Sequence, residues 1–368
     1  MSEQVPSTGA TSAGTAHHPV FHKFPPWEGI VPEGFAVNFL GVKQRLHYWK
    51  PNLDNPPQYP ANRRVKAEYP PFDAQYFEWI AVLESVINAK NHFTMIELGA
   101  GLGLWTADAW AALKQFSGLP CSLVTVEAEP THFKFMSQLF ADNLIDPQSV
   151  CMIEAAVTKA DGKVGFYFGT EQGSGEWDQY DQSIGGSHIV QAVSLRTLLK
   201  PLATVDLIHV DIQGLEYEVL EAAANELDEK VKRVYVETHK AHIERSLRSL
   251  FRRLGWDSVH DCPGWSTVQT EFGKIAFVGG GQTWLNPTFS NSPENEKAVL
   301  RQKLESSRHE GARLLAELQT REAEMNQAAL MSTSLGWRLI ERGRRLRDWI
   351  APSGSRRRRM YEFVRRRI

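Results

Sequence analysis

From Phe93 onward, short apolar runs alternate with amphipathic stretches. The runs fall at 93–98, 122–126, 150–157, 205–210, 231–236 and 274–278. Between them, Trp105, Ala109, Ala112, Leu113 and Phe116 recur at i, i+4, i+7, i+8 and i+11. Ile243, Leu247, Leu250, Phe251 and Leu254 repeat that spacing, which lines one face of a helix. Alternating strand and helix predicts parallel βαβ units with right-handed crossovers and helices on both faces of a sheet. Upstream, Tyr76, Trp79, Ile80, Leu83 and Ile87 predict one helix behind an irregular cap in which aromatics mix with Pro51-Asn52 and Pro56-Pro57. The segment 162–195, rich in Gly, Asp and Gln, interrupts the alternation and reads as an inserted hairpin and loop.

The ends follow other rules. Thirteen of the first 20 residues are Ser, Thr, Gly, Ala or Pro, which predicts disorder over 1–29. Gly279-Gly280-Gly281 reads as the opening of a linker that runs to about 294. The stretch 294–329 is charged and helical. Leu304, Gly311, Leu318 and Met325 form one heptad row, and Leu300, Ser307, Leu314, Arg321 and Ala328 the other. Such a mixed seam supports either a weak coiled coil, with homo-oligomerisation through the stalk, or a solitary solvated helix. The organisation expected is a tail at 1–29, a cap and helix at 30–91, an α/β domain at 92–285, a linker and helical stalk at 286–334, and a basic amphipathic tail at 335–368.

Composition narrows the class. Hydrophobic residues make up 42% of the 368 and charged residues 23%, which excludes a wholly disordered, collagen-like or purely coiled chain. Three cysteines are too few for a disulfide framework or a four-cysteine zinc site, so a reducing compartment is expected. The N-terminus lacks the blocks of a signal peptide, and no apolar run reaches the ~18 residues of a membrane span, so the expected location is the cytoplasm. The net charge of −2 hides an asymmetry. Residues 335–368 hold 12 Arg and 3 acids, or +9, leaving −11 on the rest. A basic tail attracts phosphate, whether of lipid or nucleic acid.

The run Met95-Ile96-Glu97-Leu98-Gly99-Ala100-Gly101-Leu102-Gly103 is a strand, a glycine turn and the start of a helix. Glycines let the backbone bend sharply and approach a ligand closely. The dinucleotide fingerprint G-x-G-x-x-G holds a pyrophosphate at the helix N-terminus. Here the spacing is G-x-G-x-G, and an acid, Glu97, closes the strand where it would repel phosphate but favour a cation. S-adenosylmethionine, with its ammonium and sulfonium, is such a ligand. Glu127 ends the next strand, 24 residues after Gly103, where an acid can grip both ribose hydroxyls of an adenosine.

Open parallel sheets bind ligands beyond the carboxyl ends of their strands. Asp211 follows one such strand, and Glu237 and His239 end another. Methyl transfer to an alcohol needs the oxygen aligned and its proton removed, and a positioned His or carboxylate can take that proton. Glu216, on the next helix, is a weaker candidate. His209, mid-strand, reads as a hydrogen-bonded core histidine. The same three groups could ligate Mg²⁺ or Mn²⁺, but no tight ligand spacing enforces it, so no metal is assigned.

At these residues the sequence resembles the FkbM family of S-adenosylmethionine-dependent methyltransferases. The matching text is Glu97-Leu98-Gly99-Ala100-Gly101, Glu127-Ala128-Glu129-Pro130, Ala155-Ala156-Val157 with Asp161-Gly162, Val205-Asp206-Leu207, and Asp211-Ile212-Gln213-Gly214-Leu215-Glu216. The Asp-x-x-Gly-x-Glu pattern is the most family-specific of these. Family members often carry aspartate where Glu97 stands, and the carboxylate is kept. The resemblance implies a doubly wound, seven-strand, mostly parallel sheet of the class I methyltransferase type. It also implies O-methylation of a sugar, polysaccharide or glycolipid. By that likeness Gly99, Gly101 and Glu127 would bind cofactor, with Glu97, Ala100 and Gly103 in the same turn, and Asp211 would lie at the acceptor edge. The insert at 173–187 has no family counterpart and is read as a lid over the acceptor.

In the tail, Leu335, Leu339, Leu346 and Ile350 fall near one helical face among arginines, with Trp337 and Trp349 nearby. A basic amphipathic helix suits an anionic membrane surface, which would make the protein peripheral at the cytoplasmic face. Nucleic acid is the less favoured partner. A non-catalytic scaffold with a vestigial sheet domain, or an RNA methyltransferase using the arginines, are the alternative functions.

Overall fold

The computed structural model describes residues 16–48, 62–166, 188–289 and 335–365. Contacts divide the chain into two units, Met1–Asn295 and Glu296–Ile368.

In the first unit, all six residues of β5 (Phe93–Leu98) are buried, as an apolar run covered on both faces requires. It pairs in parallel with β6 (Cys121–Glu127) and with β11 (Leu207–Val210). Outside β6 lies β7 (Val150–Glu154), and outside β11 lies β12 (Arg233–Thr238), both parallel. Two strands complete the far side: β16 (Gly280–Leu285) lies antiparallel beside β12, and β13 (Asp257–Cys262), antiparallel to β16, lies beyond it. The order is β13-β16-β12-β11-β5-β6-β7, the seven-strand, mostly parallel sheet expected. Helices α2 (Leu104–Phe116), α3 (Pro130–Asp142), α5 (Glu216–Ala222) and α7 (Ala241–Arg253) follow the parallel strands.

Strand β16 corrects the linker reading of Gly279-Gly280-Gly281. A Cβ on Gly280 would lie 2.4 Å from Thr238 Oγ1, and one on Gly281 2.9 Å from Tyr235 Oη. These glycines admit neighbouring side chains; they do not loosen the backbone. Two strand readings also change. The run 150–157 splits at Ala155 into β7 and β8 (Ala156–Thr158), and β8 joins a three-stranded sheet with β9 (Gly162–Phe166) and β10 (His188–Ser194). The run 274–278 becomes β15 (Gly273–Phe277), a ribbon with β14 (Ser266–Thr270) outside the main sheet.

The reading of 1–29 as disordered is corrected over 16–29. Phe21 and Phe24 are fully buried, and Phe21 stacks on Tyr76 at 4.9 Å. Tyr76 opens α1 (Tyr76–Asn88), whose apolar face shares one core with the cap and β5. Arg45, on strand β3 (Lys43–Arg45) of the cap, forms a two-pronged pair with Asp142 at the end of α3. Residues 1–15, the insert at 173–187 and the heptad stretch at 294–329 lie outside the described residues.

In the second unit, α8 (Leu335–Ile350) and α9 (Arg356–Arg365) are separated at Pro352-Ser353-Gly354. No helix among the described residues is long and apolar enough to cross a membrane.

Candidate active site

The turn after β5 is built by its glycines. Gly99 has φ +73°, and a Cβ there would sit 1.8 Å from the carbonyl oxygen of Asp211. Only glycine lets the turn after β5 and the loop after β11 touch. Gly101, at φ +54°, has nothing within 4 Å of its missing Cβ, so its surface is open to a ligand. Ala100 N–H and Gly99 N–H both donate to the Val126 carbonyl, which locks the turn to β6. Gly103 starts α2 and packs against Met136 and Phe140.

The two strand-end acids serve the turn differently. Glu97 is buried beneath it and accepts from the Thr106 hydroxyl and from Thr106 N–H at 3.0 Å, securing the first turn of α2. Burial raises its pKa to about 7 against those hydrogen bonds and the charge of His209. Glu127 accepts from Gly101 N–H at 2.6 Å and from Glu129 N–H at 2.8 Å. Burial raises it too to about 7, opposed by those backbone donors.

Beside Glu127 opens a small recess lined in part by Gly99. Ala128, Ala155, Val157, Phe166, Ile212 and Leu215 line it. An apolar slot ending in one carboxylate suits a flat heteroaromatic ring joined to a diol. The residues therefore fit the nucleoside part of S-adenosylmethionine, with Glu127 at the ribose and Gly101 leaving room for the rest. Phe166, Ile212 and Leu215 escaped the sequence reading as site residues, because nothing in their spacing reveals that the end of β9 and the loop after β11 converge there.

Across the turn from this recess, Asp211, Glu216, Glu237 and His239 converge. Glu216, the first residue of α5, is fully buried; its Oε1 lies 3.0 Å from His239 Nδ1 and accepts from Gly214 N–H. His239 Nε2 lies 3.5 Å from Asp211 Oδ1. Burial would lower the histidine's pKa, but the hydrogen bond to Glu216 and the charges of Asp211, Glu216 and Glu237 raise it to about 9. Burial, reinforced by Asp211 and Glu78, pushes the Glu237 carboxyl well above the ordinary carboxylate range. Gln213 takes φ +56° and donates to Asp211 Oδ1 at 3.0 Å, orienting it. His209 has the core role its position implied. It sits 2.7 Å from buried Glu78 and between the rings of Trp105 and Tyr235. Glu78 was not foreseen; an acid inside an otherwise apolar helix stretch was the available signal. Among the described residues, no group of three or more His, Cys, Asp or Glu has the geometry to hold a metal ion.

Residues 99–260 match the family model of the methyltransferase FkbM domain. Over this span the chain is similar to FkbM methyltransferase domains. The matched span opens at the glycine turn and takes in Glu127, Asp211, Glu216, Glu237 and His239, while Glu97, the cap and β16 lie outside it. A protein of Jannaschia sp. (strain CCS1), provisionally named a methyltransferase, is 27% identical over 270 residues, 69% of this chain and 93% of its own length. An FkbM methyltransferase from Methylobacillus flagellatus KT aligns over 58% of this chain and 55% of its own at 10% identity, with a TM-score of 0.36. A precorrin-6y C5,15-methyltransferase from Geobacter metallireducens GS-15 aligns over 57% and 87% at 12% identity, with a TM-score of 0.34. Such low scores add nothing about function. This match supports an S-adenosylmethionine-dependent methyltransferase.

Proposed function

We propose that the domain methylates a hydroxyl of a sugar, polysaccharide or glycolipid. The observation that carries this is the Glu216–His239 pair at 3.0 Å, set beside the glycine turn with Asp211 and Glu237 around it. When bound, the cofactor supplies an electrophilic methyl group on a sulfonium. His239 Nε2 then receives the proton of the acceptor hydroxyl, while Glu216 holds Nδ1–H and stabilises the imidazolium that forms. Asp211, flanking Nε2, accepts from a neighbouring hydroxyl. Glu237, held well above the ordinary carboxylate range by burial, offers the acceptor a further polar contact. Several donors and acceptors around one base suit a polyhydroxylated acceptor.

Trp265 supports the sugar class. Its ring is 83% exposed, on a residue held at φ +53°, a conformation bulky residues seldom adopt. Trp265 N–H donates to the Val278 carbonyl, and the next residue, Gly279, lies against the Glu237 carboxyl. An exposed indole offers a sugar ring a face to stack on. Incubation with methyl-labelled cofactor and fractionated soluble and lipid-linked glycans tests the proposal. A label that survives mild alkali, as a methyl ether does, supports it. A label that alkali releases, or one found only on RNA, overturns it.

A further inference from the structure

Helix α8 sorts its side chains by character around its axis. At about 100° per residue, Leu339, Leu346, Trp349 and Ile350 fall within about 100° of arc. They are 63%, 58%, 80% and 51% exposed. Arg342 lies inside that arc, Arg345 borders it on one side and Arg347 on the other. The acids of the segment are paired within it. Glu341 meets Arg345 at 3.7 Å, Asp348 meets Arg347 at 2.9 Å and Arg358 at 2.7 Å, and Glu362 meets Arg358 at 3.0 Å. Asp348 thereby ties α8 to α9 across the Pro352-Ser353-Gly354 elbow, where Ser355 Oγ accepts from Arg358 N–H as the cap of α9. With twelve arginines against three acids, residues 335–368 keep a large positive surplus after these pairs are counted.

An exposed apolar stripe wants to leave water, and its arginine borders want phosphate. A second copy of the same helix would satisfy the stripe but bring like charges together along both borders. A nucleic acid would satisfy the arginines but give four large apolar side chains no partner. An anionic bilayer satisfies both: acyl chains take the stripe, and arginine stems reach up to the phosphates.

We propose that α8 lies in the interface of an anionic membrane, with Leu339, Leu346, Trp349 and Ile350 inserted and α9 adding charge at the headgroups. The proposal does not rest on the acceptor class, because vesicle binding is read without any methyl transfer. If the acceptor is a glycolipid, such binding would hold the FkbM domain at its substrate.

The test is co-sedimentation of the full chain with vesicles of about 30 mol% phosphatidylglycerol in phosphatidylcholine, and with phosphatidylcholine alone. Partitioning is expected to be at least about tenfold stronger on the anionic vesicles and to fall about tenfold in 0.5 M salt. The double variant Leu346→Glu with Trp349→Glu keeps every arginine and is expected to lose at least about tenfold of the binding. Its cofactor affinity should stay unchanged, which shows that the first unit is intact. Absence of binding, equal binding to both vesicle types, or full binding by the double variant would each overturn the proposal. So would tighter retention on RNA than on anionic vesicles at equal salt.

Discussion

The carboxyl edge of the sheet holds two groups of acids that are wired in opposite ways. Beyond β5 and β6, Glu97 and Glu127 accept hydrogen bonds from backbone N–H groups of Thr106, Gly101 and Glu129. Fixed dipoles hold those carboxylates, and their work is to shape a turn and its recess. Beyond β11 and β12, Asp211, Glu216 and Glu237 instead share one histidine. Such a group is poor at holding shape and good at handling a proton. In the proposed function the contrast separates binding from chemistry within a few ångströms, since Gly99 closely approaches the Asp211 carbonyl.

The hardest blow to that division falls where the halves meet. Gly99→Val would force a side chain into the Asp211 carbonyl from a left-handed backbone. Cofactor binding should vanish, and thermal scanning should show a Tm at least about 5 °C lower, because overpacking of this kind costs about 1–3 kcal/mol. A variant that keeps both Tm and binding would refute the contact. Next comes His239→Gln, which should cut methyl transfer by about 10²- to 10⁴-fold while cofactor affinity stays within about twofold. A parallel loss of affinity would mean that the halves are not separate. Glu216→Gln should cost less, about tenfold to a hundredfold in rate, and should move the pH profile toward acid as the histidine loses its main hydrogen-bonding partner.

The pH dependence sharpens the comparison further. His239 titrates near 9, so the rate should rise about tenfold per pH unit and level off near that value. Stability of the ligand-free protein should run the other way. The contribution of Glu97 and Glu127, whose folded pKa values are raised to about 7, is complete below the ordinary carboxylate range and lost as pH rises through about 7. That of His239 is complete below about 6.5 and lost through about 9. Tm should therefore fall from about pH 5 to pH 9, with Glu97→Gln flattening only the lower part. A Tm that climbs over this interval would contradict the assignment.

Much of this was legible before any coordinates. The strand at 93–98, the glycine turn, Glu127, and the strand ends at Asp211 and Glu237 are local patterns, and local patterns survive folding. Helices α1, α2 and α7 followed from apolar spacing for the same reason. What sequence hid depends on partners distant in the chain. Gly279-Gly280-Gly281 looked like a linker because the side chains it accommodates, Glu237, Thr238 and Tyr235, lie some forty residues away. The run at 150–157 looked like one strand because the exchange of neighbours at Ala155 leaves no trace in hydrophobicity. Glu216 is a weaker candidate in the sequence because it sits on the helix, and its burial against His239 is what marks it.

The central claim is that a cationic nucleoside sits on the open surface of Gly101 with Glu127 beside it. Titration calorimetry of S-adenosylmethionine into the full chain, beside Gly101→Val, measures this most directly. One saturable site in the wild-type chain and none in the variant is the predicted result. No heat in the wild-type chain, or equal binding in both, would contradict it.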